Sequence, residues 1–221
     1  MTISQHTIVL ANNVASTPQQ EFNPGTGHPI AQIRTAAIAE QKYIIAGMVL
    51  AFSNDPAARW MYPDPYQYLT HFPHFVQAFG GKAFAQSTAY CIDGYAGAAL
   101  WFPPSVEPNV EPLIELLQQS LFESEQADVF AVLEQMEHYH PQSPHWYLPM
   151  IGIEPTQQGK GYGSALMGHV LMLCDRDRLP AYLEASKPAN ILFYERHGFQ
   201  VLGTIQAGAS PQIFPMLRLP Q

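Results

Sequence analysis

A glycine-rich segment at residues 148–166 constrains the fold of this chain more than any other stretch. Residues 150–153 form a short apolar run that Pro155 closes, which is typical of a buried strand. Three glycines then follow at alternate positions: Gly159, Gly161 and Gly163. Apolar residues recur downstream at helical spacing, at Tyr162, Leu166, Val170 and Leu173. The segment therefore predicts a strand, a tight turn and a helix that begins at about Gly161.

The predicted turn has the properties of an anion site. The first amides of a helix lack intrahelical partners and carry a partial positive charge, and glycines let a ligand approach them closely. A phosphate group is the ligand that such a turn favours. The turn is not a P-loop, because Lys160 precedes Gly161, and it is not a dinucleotide fingerprint, because Leu166 occupies the place of the third glycine. A turn that only lets a helix pack closely on a strand is the alternative.

The composition limits the classes of binding partner and the cellular compartment that we expect for this protein. The 221 residues are enough for one domain with a sizeable core. A net charge of −8 argues against nucleic acid or an anionic membrane as a partner. No stretch approaches the ~20 apolar residues of a membrane span, and residues 1–20 lack a secretory pattern. Two cysteines do not make a disulfide framework, so we expect a cytoplasmic protein.

The segments before the glycine turn alternate between strand and helix patterns. The aromatic-rich residues 60–79 are typical of a core and could also wall an apolar substrate pocket. An Asp-Gly pair at Asp93 and Gly94 predicts a hairpin. The predicted strands are residues 30–35, 82–90 and 95–102, and the predicted helices are residues 36–52, 110–122 and 126–138.

The segments around and after the turn predict an irregular sheet. Pro149 cannot donate a ladder hydrogen bond, so we expect its strand to splay from a neighbour. A splay would leave main-chain groups near Ile151 and Ile153 free for an amide-containing ligand. Further strands are predicted at residues 181–185, 199–205 and 213–219, and a helix at residues 188–197 that ends at Gly198.

Two clusters of polar residues have open interpretations. Between Lys82 and Lys160 there is no Lys or Arg but there are ten acidic residues. They form either a solvated surface or an electrostatic funnel for a cationic amine. Three histidines, His138, His140 and His145, lack the cysteines or carboxylates that would complete a metal site, so we predict none.

Two motifs at a fixed separation resemble the GNAT superfamily of N-acetyltransferases. Gln158 to Gly163 matches Gln/Arg-x-x-Gly-x-Gly/Ala, the coenzyme A pyrophosphate loop of that family. Asn190 to Phe199 matches its second segment, Asn-x-x-x-Tyr-x-x-x-Gly-Phe, and begins 27 residues after Gly163. From about His145 onward the chain looks like the puromycin N-acetyltransferase branch, which residues 98–104 and 182–186 also resemble. Residues 1–80 match only in general layout.

The resemblance implies a fold and a domain organisation. We expect a mixed α/β protein with the GNAT fold, in which a mostly antiparallel sheet has splayed middle strands and flanking helices. Residues 1–28 would be an irregular arm, and residues 29–221 a single acetyltransferase domain. Within it, residues 29–140 would supply the substrate side and residues 141–221 the acetyl-CoA core. The implied partners are acetyl-CoA as cosubstrate and a small amine acceptor, with the protein a monomer or a homodimer.

The resemblance also implies roles for individual residues. Tyr194 stands where the family has its general acid, and a phenol holds a proton to donate at neutral pH. For the base, Glu184 is the first candidate, with Glu154 or water as alternatives, because a carboxylate in mid-strand is costly to bury without a function. The predicted cofactor-binding residues are Ile151, Gly152, Ile153, Gln158, Gly159, Lys160, Gly161, Tyr162, Gly163, Ser164, Asn190 and Phe193.

Other functions remain open at this point. The chain could be a non-catalytic acyl-CoA-binding or sensor protein, or an acetyltransferase that acts on protein or peptide amines. A nucleotide-binding enzyme is disfavoured, because no Mg²⁺-binding carboxylate and phosphate-binding lysine accompany the turn.

Overall fold

The computed structural model describes residues 32–104, 106 and 108–221. The predicted arm, residues 1–28, lies outside the described residues, as do the first two positions of the predicted strand 30–35. The strands are β1 Ile33–Thr35, β2 Ala89–Ile92, β3 Gly97–Phe102, β4 Trp146–Ile153, β5 Ala181–Ala185, β6 Gln200–Val201 and β7 Phe214–Arg218. The helices are α1 Gln41–Ala51, α2 Pro56–Met61, α3 Pro65–Gly80, α4 Lys82–Ala85, α5 Glu111–Ser120, α6 Glu123–Tyr139, α7 Tyr162–Asp177 and α8 Ile191–Glu195.

The seven strands form one sheet in the order β1-β2-β3-β4-β5-β7-β6. All neighbours pair antiparallel except β4 and β5, which are parallel. The predicted hairpin is confirmed: Gly94 has a φ of 73° in the turn that joins β2 to β3. The fold is therefore the predicted mixed α/β arrangement with a mostly antiparallel sheet.

The sheet splays where the proline predicted it. Strands β4 and β5 pair from Trp146–Ala181 to Leu148–Leu183 and then separate. Beyond Pro149, β4 stays paired with β3 as far as Ile153, while β5 stays paired with β7 through Ala185. Because a proline nitrogen carries no hydrogen, the ladder loses a donor at the point where the two strands part.

Both faces of the sheet are covered, which explains its long apolar runs. Successive side chains of a strand point to opposite faces. Leu100 and Tyr182 accordingly pack into one core with α1, α3 and α5. Trp101 and Leu183 pack into the other with α7 and α8. The aromatic block forms α2 and α3, and its Tyr62, Tyr68 and Phe72 are buried.

One predicted strand is wrong in its first half. Residues 82–85 form the helical turn α4, and the strand begins only at Ala89. Alanine-rich sequence of this kind favours a helix, and the turn buries Ala83 and Phe84 in the core. Ser87 then reverses the chain with a φ of 57°. The predicted first helix also starts later, at Gln41, after a short 3₁₀ turn at Ile38–Glu40.

The predicted strand at residues 199–205 is only partly formed, since β6 covers Gln200–Val201 and Ile205 makes an isolated bridge to Ile213. The predicted helix at residues 188–197 begins as a 3₁₀ turn, Pro188–Asn190, before α8. The remaining predicted elements are confirmed within a few residues, including β5, whose bounds are those predicted. Among the helices that the structure describes, none is both long and apolar enough to cross a membrane.

Candidate functional site

A cavity of about 530 Å³ opens at the splay of the sheet. Its walls come from β4 beyond Leu148, the glycine turn, the end of β5, α8, and the helices α2, α3, α5 and α6. Of the predicted site residues, all line this cavity except Lys160. Residues that are separated by as many as 43 positions in the sequence, from Ile151 to Tyr194, therefore face one space.

The glycine turn presents unpaired amides to the cavity. Gly159 and Gly161 have φ of 78° and 82°, in the left-handed region that favours glycine, and a Cβ at either would meet no atom within 4 Å. The amides of residues 159–164 donate no hydrogen bond to any described residue; the first that does is Ala165, to the Gly161 carbonyl. The turn also caps the sixteen-residue helix α7, whose N-terminus favours an anion.

Polar side chains around the turn hold it in shape. The Glu154 carboxylate accepts hydrogen bonds from the amide of Thr156, at 3.1 Å, and from its hydroxyl. The Gln158 side-chain amide donates to the Ile153 carbonyl at 3.2 Å. Lys160 Nζ donates to Gln157 Oε1 at 2.8 Å. Glu154 does not line the cavity, so the structure places this alternative base in the support of the turn.

The splayed part of β4 forms a second wall. Beyond Leu148 its only strand partner among the described residues is β3, so no strand pairs with the main-chain groups that face β5 there. Of these groups, the Ile153 carbonyl accepts the hydrogen bond from the Gln158 side chain. Ile151 and Ile153 line the cavity at this point. Gly152 is needed for packing, since a Cβ there would lie 2.8 Å from Met48 Sδ.

Helix α8 supplies the predicted acid. Tyr194 is 6% exposed and lines the cavity, and its hydroxyl makes no hydrogen bond with a described residue. Burial raises its pKa well above the usual value, and the negative charge of Asp55 adds to the shift. Phe193 packs beside it, with the ring centroids 5.1 Å apart, and touches the turn at Gly163. Asn190 also lines the cavity.

The predicted base faces the same cavity from β5. Glu184 is half-buried, and burial raises its pKa to about 7, with the hydroxyls of Tyr147 and Tyr182 offsetting part of the shift. The Tyr182 hydroxyl is itself buried and completes no hydrogen bond of standard geometry within the described part of the chain. A carboxyl group with such a pKa exchanges a proton readily at neutral pH.

Sequence reasoning missed Asp55 and Ser186. Asp55 is 3% exposed and caps α2, with Oδ1 accepting from the amides of Ala57 and Ala58 at 3.0 and 3.1 Å. Its Oδ2 accepts a hydrogen bond from Ser186 Oγ at 2.6 Å. The Asp-Pro sequence is a visible helix-start signal, but nothing in it indicates a contact with a residue 131 positions away.

Apolar side chains complete the wall opposite the glycine turn. Some rings of the aromatic block fill the core and others face the cavity; that these wall a substrate pocket stays a prediction. The cavity-facing ones, with their neighbours from α5 and α6, are Trp60, Phe72, Phe75, Phe79, Leu117, Val129, Leu133 and Met136. The acidic residues of α5 and α6 do not line the cavity.

The histidine cluster lies elsewhere. His140 Nε2 and His145 Nε2 are 3.1 Å apart, beside Tyr147 and outside the cavity lining. Within the described ranges no group of three or more His, Cys, Asp or Glu side chains is placed to hold a metal ion.

Sequence comparison identifies a domain in this part of the chain. Residues 122–201 match the family model of an acetyltransferase (GNAT) domain. Over 79 residues the chain is 37% identical to an uncharacterised N-acetyltransferase of Schizosaccharomyces pombe, a match that covers 34% of this chain and 32% of the relative. The chain thus spans about a third of the length of the curated relative that it matches.

Solved structures share the fold over most of the chain. A histone acetyltransferase HPA2 and related acetyltransferase from Corynebacterium glutamicum is 24% identical, with a TM-score of 0.61, and the match covers 86% of this chain and 97% of that one. Arylalkylamine N-acetyltransferase 2 from Aedes aegypti is 10% identical, with a TM-score of 0.60, covering 86% and 99%. An agmatine N-acetyltransferase is 11% identical, with a TM-score of 0.60, covering 85% and 98%. The fold is therefore that of the GNAT acetyltransferases.

Proposed function

We propose that this protein is an acetyl-CoA-dependent N-acetyltransferase that moves the acetyl group directly to the primary amine of a small molecule. One observation carries the proposal: the free amides of residues 159–164 and the free hydroxyl of Tyr194 face the same cavity at the splay of the sheet. The GNAT domain match over residues 122–201 includes both features and supports it.

The cavity fits coenzyme A in two respects. Unpaired amides at the start of a long helix suit a diphosphate, because each can donate to a phosphate oxygen without losing a partner. The main-chain groups of β4 near Ile151 and Ile153, with which no strand pairs on the β5 side, suit the amides of pantetheine, which would add to the sheet like a short strand. Asn190, whose side-chain amide has no hydrogen-bond partner among the described residues, is placed to bind the same arm.

The side chains supply the two proton transfers that the reaction needs. The acceptor arrives as an ammonium ion, and Glu184 takes its proton so that the nitrogen lone pair is free. The nitrogen then bonds to the thioester carbonyl carbon, and the carbon–sulfur bond breaks. Tyr194 donates its hydroxyl proton to the departing sulfur and regains one from the nitrogen, which loses its second proton as it becomes an amide nitrogen. The proton held by Glu184 then passes to solvent. The products are the acetylated amine and free coenzyme A.

Direct transfer is favoured over an acetyl-cysteine intermediate. Both cysteines, Cys91 and Cys174, are buried, and neither lines the cavity. Burial also raises the pKa of both thiols, which disfavours the nucleophilic thiolate. The two buried free thiols are also in keeping with our proposal of a cytoplasmic location.

The shape of the site favours a small acceptor. Its apolar walls lie inside the molecule, where a free small amine fits better than the lysine of a folded protein. Two solved neighbours are named as acetyltransferases of agmatine and of arylalkylamines, both of which are amines. Membership of the puromycin N-acetyltransferase branch remains a proposal, which rests on the motifs at residues 98–104 and 182–186.

A thiol-release assay with acetyl-CoA and a panel of amines tests the proposal. Wild type should release coenzyme A with at least one small amine and bind acetyl-CoA in calorimetry. A protein that binds acetyl-CoA but releases no thiol with any amine or peptide would instead be a sensor. Preference for peptides over every small amine would move the function to protein acetylation.

A further inference from the structure

The cavity contains a buried carboxylate that the proposed proton transfers do not use. Asp55 lines the cavity and is 3% exposed, and its Oδ2 accepts from Ser186 Oγ at 2.6 Å. Ser186 lies at the bend that follows β5, two positions beyond Glu184, and both residues line the cavity. Asp55 therefore lines the same cavity as Ser186 and Glu184, the residue that takes a proton from the acceptor nitrogen in the proposed reaction.

We propose that Asp55 and Ser186 bind the ammonium group of the acceptor, and that the acceptor is a primary amine with one positive charge and an apolar body. This inference rests on the proposed acetyl transfer. Because the Ser186 hydroxyl gives its one hydrogen to Asp55, its oxygen remains able to accept a hydrogen bond from an ammonium group. The carboxylate of Asp55 adds the opposite charge.

A second Asp-Pro cap shows that helix capping alone does not explain Asp55. Asp64 caps α3 in the same way, with Oδ1 accepting from the amide of Gln67 at 3.0 Å, but it is exposed and away from the cavity. Capping therefore requires neither burial nor a serine partner. Three hydrogen bonds offset part of the cost of burying the Asp55 carboxylate, and a cation in the cavity would supply the opposite charge that they lack.

The remaining walls define the rest of the acceptor. Among the described residues that line the cavity, the charged ones are Asp55, Glu184 and Lys187. An acceptor with a second ammonium group would find the two carboxylates already engaged and Lys187 repelling it. Burying that charge without a partner is costly, whereas an alkyl or aryl body would contact the apolar side chains Trp60, Phe75, Phe79, Leu117, Leu133 and Met136.

Two amines of equal length test the substrate class. Hexylamine and 1,6-diaminohexane differ by one charged end, and thiol release with each gives kcat/KM for the wild-type protein. We expect kcat/KM to be about tenfold or more higher for hexylamine than for the diamine. The reason is that the second ammonium group of the diamine would be buried without a partner. Equal or better turnover of the diamine would overturn the substrate class and leave the proposed transfer intact. If no amine or peptide released thiol although acetyl-CoA bound, both proposals would fail.

Matched variants test the role of Asp55. Asp55→Asn keeps a capping side chain and removes the charge, and Asp64→Asn makes the same change at the exposed cap. We expect Asp55→Asn to raise KM for hexylamine about tenfold, with KM for acetyl-CoA within about twofold of wild type. Asp64→Asn should change neither KM for hexylamine nor KM for acetyl-CoA. Ser186→Ala, which leaves the α2 cap in place, should raise KM for hexylamine in the same direction. Identical amine KM values for all four proteins would refute the assignment.

Discussion

The pKa of Glu184 predicts how the stability of this protein depends on pH. In the folded state burial raises that pKa to about 7, against 4.5 for an ordinary glutamate. Between these values the folded protein keeps a proton that the unfolded chain has lost. The free energy of unfolding must therefore fall as pH rises through this window. A difference of about 2.5 between the two pKa values corresponds to about 3 kcal/mol, an upper bound because the side chain also faces the cavity.

The substitution Glu184→Gln removes this ionisation and keeps the shape of the side chain. The variant should gain stability relative to wild type as pH rises from 4.5 to 8.5, by up to about 3 kcal/mol. Urea unfolding of both proteins at several pH values and constant ionic strength measures the difference. Other titrating groups are common to both proteins and cancel in that difference.

A matched control removes the effect of the substitution itself. Glu134→Gln makes the same change on the exposed side of α6, and its stability difference from wild type is subtracted at each pH. If the Glu184→Gln difference, so corrected, is flat between pH 4.5 and 8.5, the carboxylate is ionised in the folded protein at pH 5. Its role as a base poised near neutral pH would then be refuted.

Four further substitutions test other parts of the site and its surroundings. Tyr194→Phe should lower kcat by about 100-fold or more and leave the Kd of acetyl-CoA within about twofold, because only the proton donor is lost; unchanged kcat in the thiol-release assay would remove the acid assignment. Gly161→Ala should destabilise by about 1–2 kcal/mol in urea unfolding, because alanine is strained at a φ of 82°. Gly168→Ala lies within α7, where a Cβ would meet no atom within 4 Å, and should instead stabilise the protein by about 0.5–1 kcal/mol. If both glycine substitutions changed the free energy of unfolding equally, the assignment of strain to the backbone at Gly161 would be refuted. Burial and the neighbouring His145 lower the pKa of His140 to about 4 from 6.5, so wild type should lose stability as pH falls between these values. The His140→Phe variant should lose less stability over the same pH range. If urea unfolding gave the variant the same dependence of the free energy of unfolding on pH as wild type, this prediction would be contradicted.

Local signals account for what could be predicted from the sequence. The glycine turn, the Asp-Gly hairpin and the splay at Pro149 each follow from the backbone preferences of one or two residues, and each is confirmed. The predicted strand at residues 82–90 failed in its first half because a short apolar run suits a buried helix as well as a strand. Its helical part is set by packing of Phe84 in the core.

The parts of the site that were missed depend on contacts between distant residues. Asp55 and Ser186 are 131 positions apart, and only the fold brings them together. Tyr147 and Tyr182 approach Glu184 because β4 and β5 pair in parallel with Tyr147 opposite Tyr182, a register that no local pattern reveals. The predicted residues of the turn and of α8 do line the cavity, and they could be named from the sequence because their motifs are contiguous.

The separation of β4 from β5 places an open sheet edge in the interior of the protein. An open edge on a protein surface invites pairing with another chain and hence aggregation. Here the part of β4 beyond Leu148 with which no strand pairs on the β5 side lines the cavity at the splay instead of the outer surface. A slender ligand that carries its own amides can enter it, and by binding only the folded state it would raise the midpoint of thermal unfolding in proportion to the logarithm of its concentration.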